Sequence, residues 1–272
     1  GSGISADKRH LTHSAPTLAP HVCTMHIWHS YASLKKVSPA MELAKNSLDV
    51  GLFTNAPEEV SAFWVEKAHV QFDHVLPVSR ELRQHRHTLD GAVLKINHAK
   101  DPLPPRGTAG YLRLVVACPN VTDPQTLVDP DGNELVRWPM GRDGINHWAL
   151  ELATSSVEAF MTFYRDAVGL PVDETLPCAV ACGQSRIVGR VTPDVPDRSD
   201  NDVMVRPGLR YSTIQVFDVD AEYARIVGHD PAYGAQEPRT LGKTARIAFI
   251  RDPFGNWIEL SQRASLTGAL PE

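Results

Sequence analysis

Glu259 stands in the run Trp257-Ile258-Glu259-Leu260, just after the tight turn Asp252-Pro253-Phe254-Gly255-Asn256. A carboxylate inside an apolar strand costs several kcal/mol unless a partner compensates it. The pattern therefore points to a ligand, an acid/base group, or a salt bridge to Arg246 or Arg251. Side chains alternate between the two faces of a strand. Over 147–152 this separates Trp148, Leu150 and Leu152 from His147, Ala149 and Glu151. In the last strand it separates Ile258 and Leu260 from Trp257, Glu259 and Ser261. In 211–216 it separates Ser212, Ile214 and Val216 from Tyr211, Thr213 and Gln215. If the aliphatic faces press on helices, the opposite faces line a cup in which His147, Tyr211 and Glu259 converge. There Glu259 or Glu151 would serve as a base if burial raises its pKa. Tyr211 would act as a general acid or hydrogen-bond donor, beside Trp257, Gln215 and Thr213 as substrate contacts.

A second cluster is Arg83-Gln84-His85-Arg86-His87. His85 and His87 share one strand face, with Lys95 and His98 two strands' reach away. Two imidazoles so spaced can share a metal or an anionic ligand, and a solvated basic strand gives the same pattern. A ligand held by His85 and His87 would carry an anionic or phenolic group.

The elements that must position these residues come from an internal repeat. Residues 46–77 superpose on 146–177 without gaps: Asn46/Asn146, Leu52/Leu152, Thr54/Thr154, Phe63/Phe163, Asp73/Asp173, Leu76/Leu176 and Pro77/Pro177 are identical, and Trp64 meets Tyr164. Asn55 with Glu58, and Ser155 with Glu158, have capping-box spacing. Val157, Phe160, Met161, Tyr164 and Val168 form one apolar helical stripe. Strands are expected near 82–88, 92–98, 111–117, 147–153, 176–182, 185–192 and 210–217, and a helix over 219–227. The turns of 129–138 (DPDGNELVRW) and 251–260 (RDPFGNWIEL) are twins, but Val136 stands where Glu259 does and Leu112 where Tyr211 does. His147 corresponds to Ser47, or to Asp49 if the strand slips by two. The reading is an α+β chain of four tandem βαβββ-like units paired two by two, the second having lost its helix. Residues 1–45 are expected to be an N-terminal arm, with a tag remnant at Gly1-Ser2-Gly3, a natural start at Met25 and a short helix near 38–46. A first domain over 46–141, a second over 142–265 and a tail over 266–272 complete the division. Residues 101–105 and 193–208 are linkers.

The stretch INHWALELATSSVEAFMTFYRDAVGLP resembles the opening of a vicinal oxygen chelate domain, the glyoxalase, bleomycin-resistance and extradiol-dioxygenase superfamily. RDPFGNWIEL resembles that superfamily's closing turn and strand. The resemblance covers roughly residues 46–265 and implies two cup-shaped domains, the first divergent. It implies metal ligands on the first strand of a unit and the last strand of its partner, hence His147 and Glu259. A divalent ion such as Fe, Zn, Mn or Ni would then be left with open positions for an oxygen-bearing substrate. Tyr211 stands where a second His is usual, which departs from an iron dioxygenase triad.

The chain has 272 residues, 42% hydrophobic and 22% charged, with formal net charge −5. It lacks a basic run or a membrane-length apolar run, so neither nucleic acid nor membrane is an expected partner. The scattered cysteines Cys23, Cys118, Cys178 and Cys182 read as free thiols of a cytoplasmic protein. The expected partner is a small molecule, with the chain a monomer or homodimer. The expected function is a glyoxalase-like lyase or isomerase, ahead of a ring-cleaving dioxygenase, acting in the second domain's cup with a divalent metal. The alternatives are a metal-independent isomerase or lyase using Tyr211 and Glu259, and a small-molecule sequestration protein.

Overall fold

The computed structural model describes residues 40–271, so most of the expected arm, with Met25 and Cys23, lies outside the described residues. Over 40–46 the expected helix is absent. Leu43 instead bridges to Val216, and Met41 N donates to Gly169 O at 3.0 Å.

The first unit is β1 (Asp49–Thr54), α1 (Pro57–Ala68), β2 (Gln71–Pro77), β3 (Leu82–Leu89) and β4 (Ala92–Ala99). The second is β5 (Tyr111–Cys118), β6 (Gln125–Val128) and β7 (Glu134–Pro139), without an α-helix. The third is β8 (Trp148–Thr154), α2 (Val157–Met161) continued by a π-wound turn over Thr162–Ala167, β9 (Ala179–Cys182) and β10 (Ser185–Val191). The fourth is β11 (Gly208–Gln215), α3 (Val219–Val227), β12 (Gly234–Leu241), β13 (Ala245–Arg251) and β14 (Trp257–Arg263). Both helix N-caps fall one residue later than the expected capping boxes, and the first has no side-chain cap. Ala56 caps α1, with Pro57 pre-set for the first turn, and Ser156 caps α2 by accepting from Ala159 N. Asn55 is freed to bind Ala99 O, Asp101 O and Leu103 N, tying the linker to the first unit.

The units pair in an order that the repeat does not announce. One sheet has eight strands in the order β12-β13-β14-β11-β1-β4-β3-β2, joining the first unit to the fourth; the other has six, β6-β7-β5-β8-β10-β9, joining the second to the third. Each join is an antiparallel seam of first strands, β1 with β11 and β5 with β8. Both sheets therefore cross the boundary expected near residue 141: one cup pairs the first unit with the fourth, and the other pairs the second with the third.

Two turns tie the helices to this arrangement. Asp129 Oδ1 accepts from Asp131 N and Asn133 N, while its Oδ2 accepts from Trp64 Nε1 at 3.0 Å. Asp252 Oδ1 accepts from Phe254 N and Asn256 N, while its Oδ2 accepts from Tyr164 OH at 3.0 Å. The repeat-equivalent residues Trp64 and Tyr164 thus anchor the first unit's helix to the second unit's turn, and the third's to the fourth's. The aliphatic faces of both sheets and the helices share one continuous core that includes Leu52, Trp64, Leu94, Leu150, Phe160, Ile214 and Ile258.

Candidate active site

Burial of the aliphatic faces leaves the opposite face of the eight-stranded sheet to line a cup. Register sets its rows. Asp49 lies beside Thr213 and Thr213 beside Glu259, while Gly51 lies beside both Tyr211 and Lys95. Arg86 lies beside Lys95, and Gln84 beside Asn97. The first strands β1 and β11 contribute Asp49 and Thr213, and the last strands β4 and β14 contribute Lys95 and Glu259.

Glu259 is buried, and its partner is Lys95 from the first unit, not Arg246 or Arg251. Lys95 Nζ lies 3.1 Å from Glu259 Oε2 and donates to Thr213 Oγ1 at 2.7 Å. Thr213 Oγ1 donates to the same carboxylate oxygen at 3.2 Å. Arg246 pairs with Asp220 and Arg251 with Asp202. Glu259 Oε1 receives no hydrogen bond from the described residues. Lys95 also lies 5.4 Å from the Tyr211 ring centroid. Burial pulls its pKa down, opposed by the charges of Glu259 and Asp49.

Tyr211 OH accepts from Asn97 Nδ2 at 3.0 Å and Gln84 Nε2 at 3.4 Å, which leaves its own proton to donate into the cup. Burial, and then the charge of Glu259, push its pKa up, so it stays protonated. Phe53, Tyr211, Ile247, Phe249 and Trp257 form the apolar wall. Trp257 Nε1 donates to Asn201 O at 2.8 Å, so Trp257 offers the cup its ring rather than its N–H. Gln215 Nε2 donates to Asp49 Oδ2 at 3.3 Å; its Oε1 is buried without a partner, as is Ser261 Oγ. Tyr211, Thr213, Gln215, Trp257 and Glu259 therefore share one face, as alternation requires.

The other expected residues lie elsewhere. His147 precedes β8 in the six-stranded sheet and does not meet Glu259. Its Nε2 lies 2.9 Å from Leu89 O and its Nδ1 3.3 Å from Ser185 Oγ, which itself accepts from Leu48 N. Burial lowers its pKa, so a neutral imidazole with both nitrogens engaged seals the junction between the sheets. Glu151 lies in the six-stranded sheet, hydrogen-bonded by Arg113 Nε at 2.6 Å and paired with Arg190. Burial would raise its pKa, but the hydrogen bonds from Arg190 and Arg113 outweigh it and hold the carboxyl below its ordinary value. It is a fixed counter-ion rather than a base. On the same face Val115, Val136, Ala149 and Val188 pack together.

His85 and His87 share a face, but it is the helix side of β3. His87 is fully buried against Phe72, with both ring nitrogens unpartnered. The His85 ring lies 6.0 Å from that of His98, and burial followed by His98 lowers its pKa. Lys95 is on the opposite face, with Arg86. The residues missed at the sequence level are Lys95, Arg86, Gln84, Asn97 and Asp49. Lys95 interrupts the apolar strand Ala92-Val93-Leu94-Lys95-Ile96 as Glu259 interrupts its own, and that shared signal could have paired them.

A divalent metal does not fit this cup. Its first and last strands supply two carboxylates, a neutral threonine and an ammonium, and the ammonium already neutralises Glu259. Among the described residues no three His, Cys, Asp or Glu side chains cluster to hold an ion. No helix among those residues is long and apolar enough to cross a membrane.

Residues 144–260 match the family described as the Glyoxalase/Bleomycin resistance protein/Dioxygenase superfamily. A search of curated proteins by sequence finds no match. Among solved structures, glyoxalase I from Zea mays is similar at TM-score 0.61 and 14% identity, over 79% of this chain and 92% of that one. A putative dioxygenase from Bacillus subtilis subsp. subtilis str. 168 is similar at TM-score 0.58 and 12% identity, over 83% and 86% respectively. At these identities the likeness is one of fold, and it extends well beyond the matched segment. The family match covers the third and fourth units, and the two solved structures share the fold over 79% and 83% of this chain.

Proposed function

We propose that the chain is an isomerase or lyase that moves a proton on a small carbonyl, enol or phenolic molecule in the eight-stranded cup. Its own ammonium serves where a metal would otherwise polarise oxygen. The observation that carries this reading is the Lys95 Nζ to Glu259 Oε2 contact of 3.1 Å, which leaves Oε1 without a hydrogen bond. Glu259 Oε1 removes a proton from the carbon beside the carbonyl, and the electron pair moves onto the carbonyl oxygen. Lys95 and the Tyr211 O–H stabilise that oxyanion, a preorganised arrangement inside a water-poor cup. Return of the proton from Glu259 to a neighbouring position completes an isomerisation, and departure of a β-substituent completes a lyase reaction. Groups so placed are each worth roughly 10²–10⁴-fold in rate.

The test is deuterium incorporation at the α-carbon of small carbonyl compounds in D2O, followed by proton NMR. The wild-type chain is expected to accelerate exchange in at least one compound, and Glu259→Gln to lose about a hundredfold or more of that rate. Undiminished exchange in Glu259→Gln contradicts the reading.

A further inference from the structure

The cup holds four cations, Lys45, Arg86, Lys95 and Arg263, against two carboxylates, Asp49 and Glu259. Each carboxylate already has its own ammonium, Lys45 with Asp49 and Lys95 with Glu259. Arg86 is buried, and its one hydrogen bond goes to a neutral acceptor, Gln84 Oε1, at 2.6 Å. Arg263 continues the inner face of β14 beyond Glu259 and Ser261, pairs with Ala245 on β13, and has a buried Nε without a partner. Among the described residues neither guanidinium has a carboxylate partner. Burial lowers the Arg86 pKa and the charge of Arg263 lowers it further, so the two cations are near enough to repel. Between them on the same face, Gln215 lies opposite Ser261, and Gln215 Oε1 and Ser261 Oγ are buried without partners.

A buried guanidinium without a counter-ion is costly, and its planar fork matches a carboxylate. Resting on the assignment of this cup as the active site, we propose that the substrate is a small organic anion, a carboxylic acid with an oxo or hydroxyl oxygen beside the carboxylate. Arg86 and Arg263 hold the carboxylate with the Ser261 hydroxyl beside them, the adjacent oxygen meets Lys95 and Tyr211, and the reacting carbon then faces Glu259.

Pyruvate and its neutral isostere pyruvamide test this in the full chain by ligand-observed NMR titration. Pyruvate is expected to bind at least about tenfold more tightly than pyruvamide, and added salt should narrow the gap. Arg86→Gln and Arg263→Gln should each remove most of that preference. Equal binding of the two compounds, or no binding of pyruvate, overturns the proposal, and neither outcome requires a variant to fold. Pyruvate binding that depends on both arginines, without methyl-proton exchange, would uphold the anion site and defeat the proton-transfer reading. Exchange in neutral carbonyl compounds without pyruvate binding would do the reverse.

Discussion

The Tyr211 ring lies over Gly51: a methyl group on Gly51 would stand 2.0 Å from Tyr211 Cε1. This contact joins the first strands of units separated by about half the chain, where Gly51 and Tyr211 are register partners. The repeat-equivalent of Gly51 in the third unit is Glu151, which pairs with Arg113 across the seam with β5. Shape at one seam and charge at the other distinguish the two joins. Gly51→Ala is expected to destabilise the fold by about 1–3 kcal/mol through overpacking, with Tyr211→Leu in the same chain recovering part of it. Thermal unfolding of the single and double variants measures this; an unchanged midpoint for Gly51→Ala contradicts it.

Lys95→Met leaves the Glu259 carboxylate buried without its cation. Removing one partner of such a pair typically costs about 3–5 kcal/mol, so Lys95→Met should unfold at a lower denaturant concentration than the Lys95→Met, Glu259→Leu double variant. If the double variant is the less stable, the pair is not the isolated buried unit described.

Glu151 is expected to matter for stability alone. Its folded pKa is held below the ordinary carboxylate value, so its stabilisation is present above that value and is lost as pH falls through the lowered one. Glu151→Gln should weaken the fold near neutral pH by about 1 kcal/mol, since both arginine partners are partly solvated. Catalysis of α-proton exchange should be unchanged; a large loss of rate with an intact fold would restore Glu151 to the chemistry.

The buried histidines set a second pH response. Burial lowers the pKa of both His87 and His147 in the folded chain. The unfolded chain therefore binds protons that the folded chain does not, and stability falls as pH drops below the unfolded value of about 6.5. The unfolding midpoint should decline between about pH 7.5 and 5.5, and His87→Phe should flatten the decline. A midpoint constant over that range in the wild-type chain contradicts the assignment.

Much of the architecture is legible in the residues. The gap-free repeat finds the units, alternation sorts Glu259, Tyr211, Thr213 and Gln215 onto one face, and α3 runs over 219–227 as its pattern predicts. The pairing of units is not legible, because each presents a similar first strand and the choice between seams depends on contacts such as Tyr211 over Gly51. That one unknown displaced the site: it brought His147 to Glu259 on paper, whereas the fold brings Lys95. The same uncertainty misplaced His85 and His87. Their shared face was correct, but only the partnership of Lys95 with Glu259 identifies the opposite face, with Arg86 and Gln84, as the cup.

The central claim is that Lys95 is the cation of this active site. Its most direct measurement is the α-proton exchange rate before and after exhaustive treatment with a chelator, in wild-type and Lys95→Met chains confirmed to be folded. The account predicts a wild-type rate unaffected by the chelator and a rate lower by about a hundredfold or more in Lys95→Met. A wild-type rate abolished by the chelator and restored by a divalent metal, with Lys95→Met retaining full activity, would contradict it.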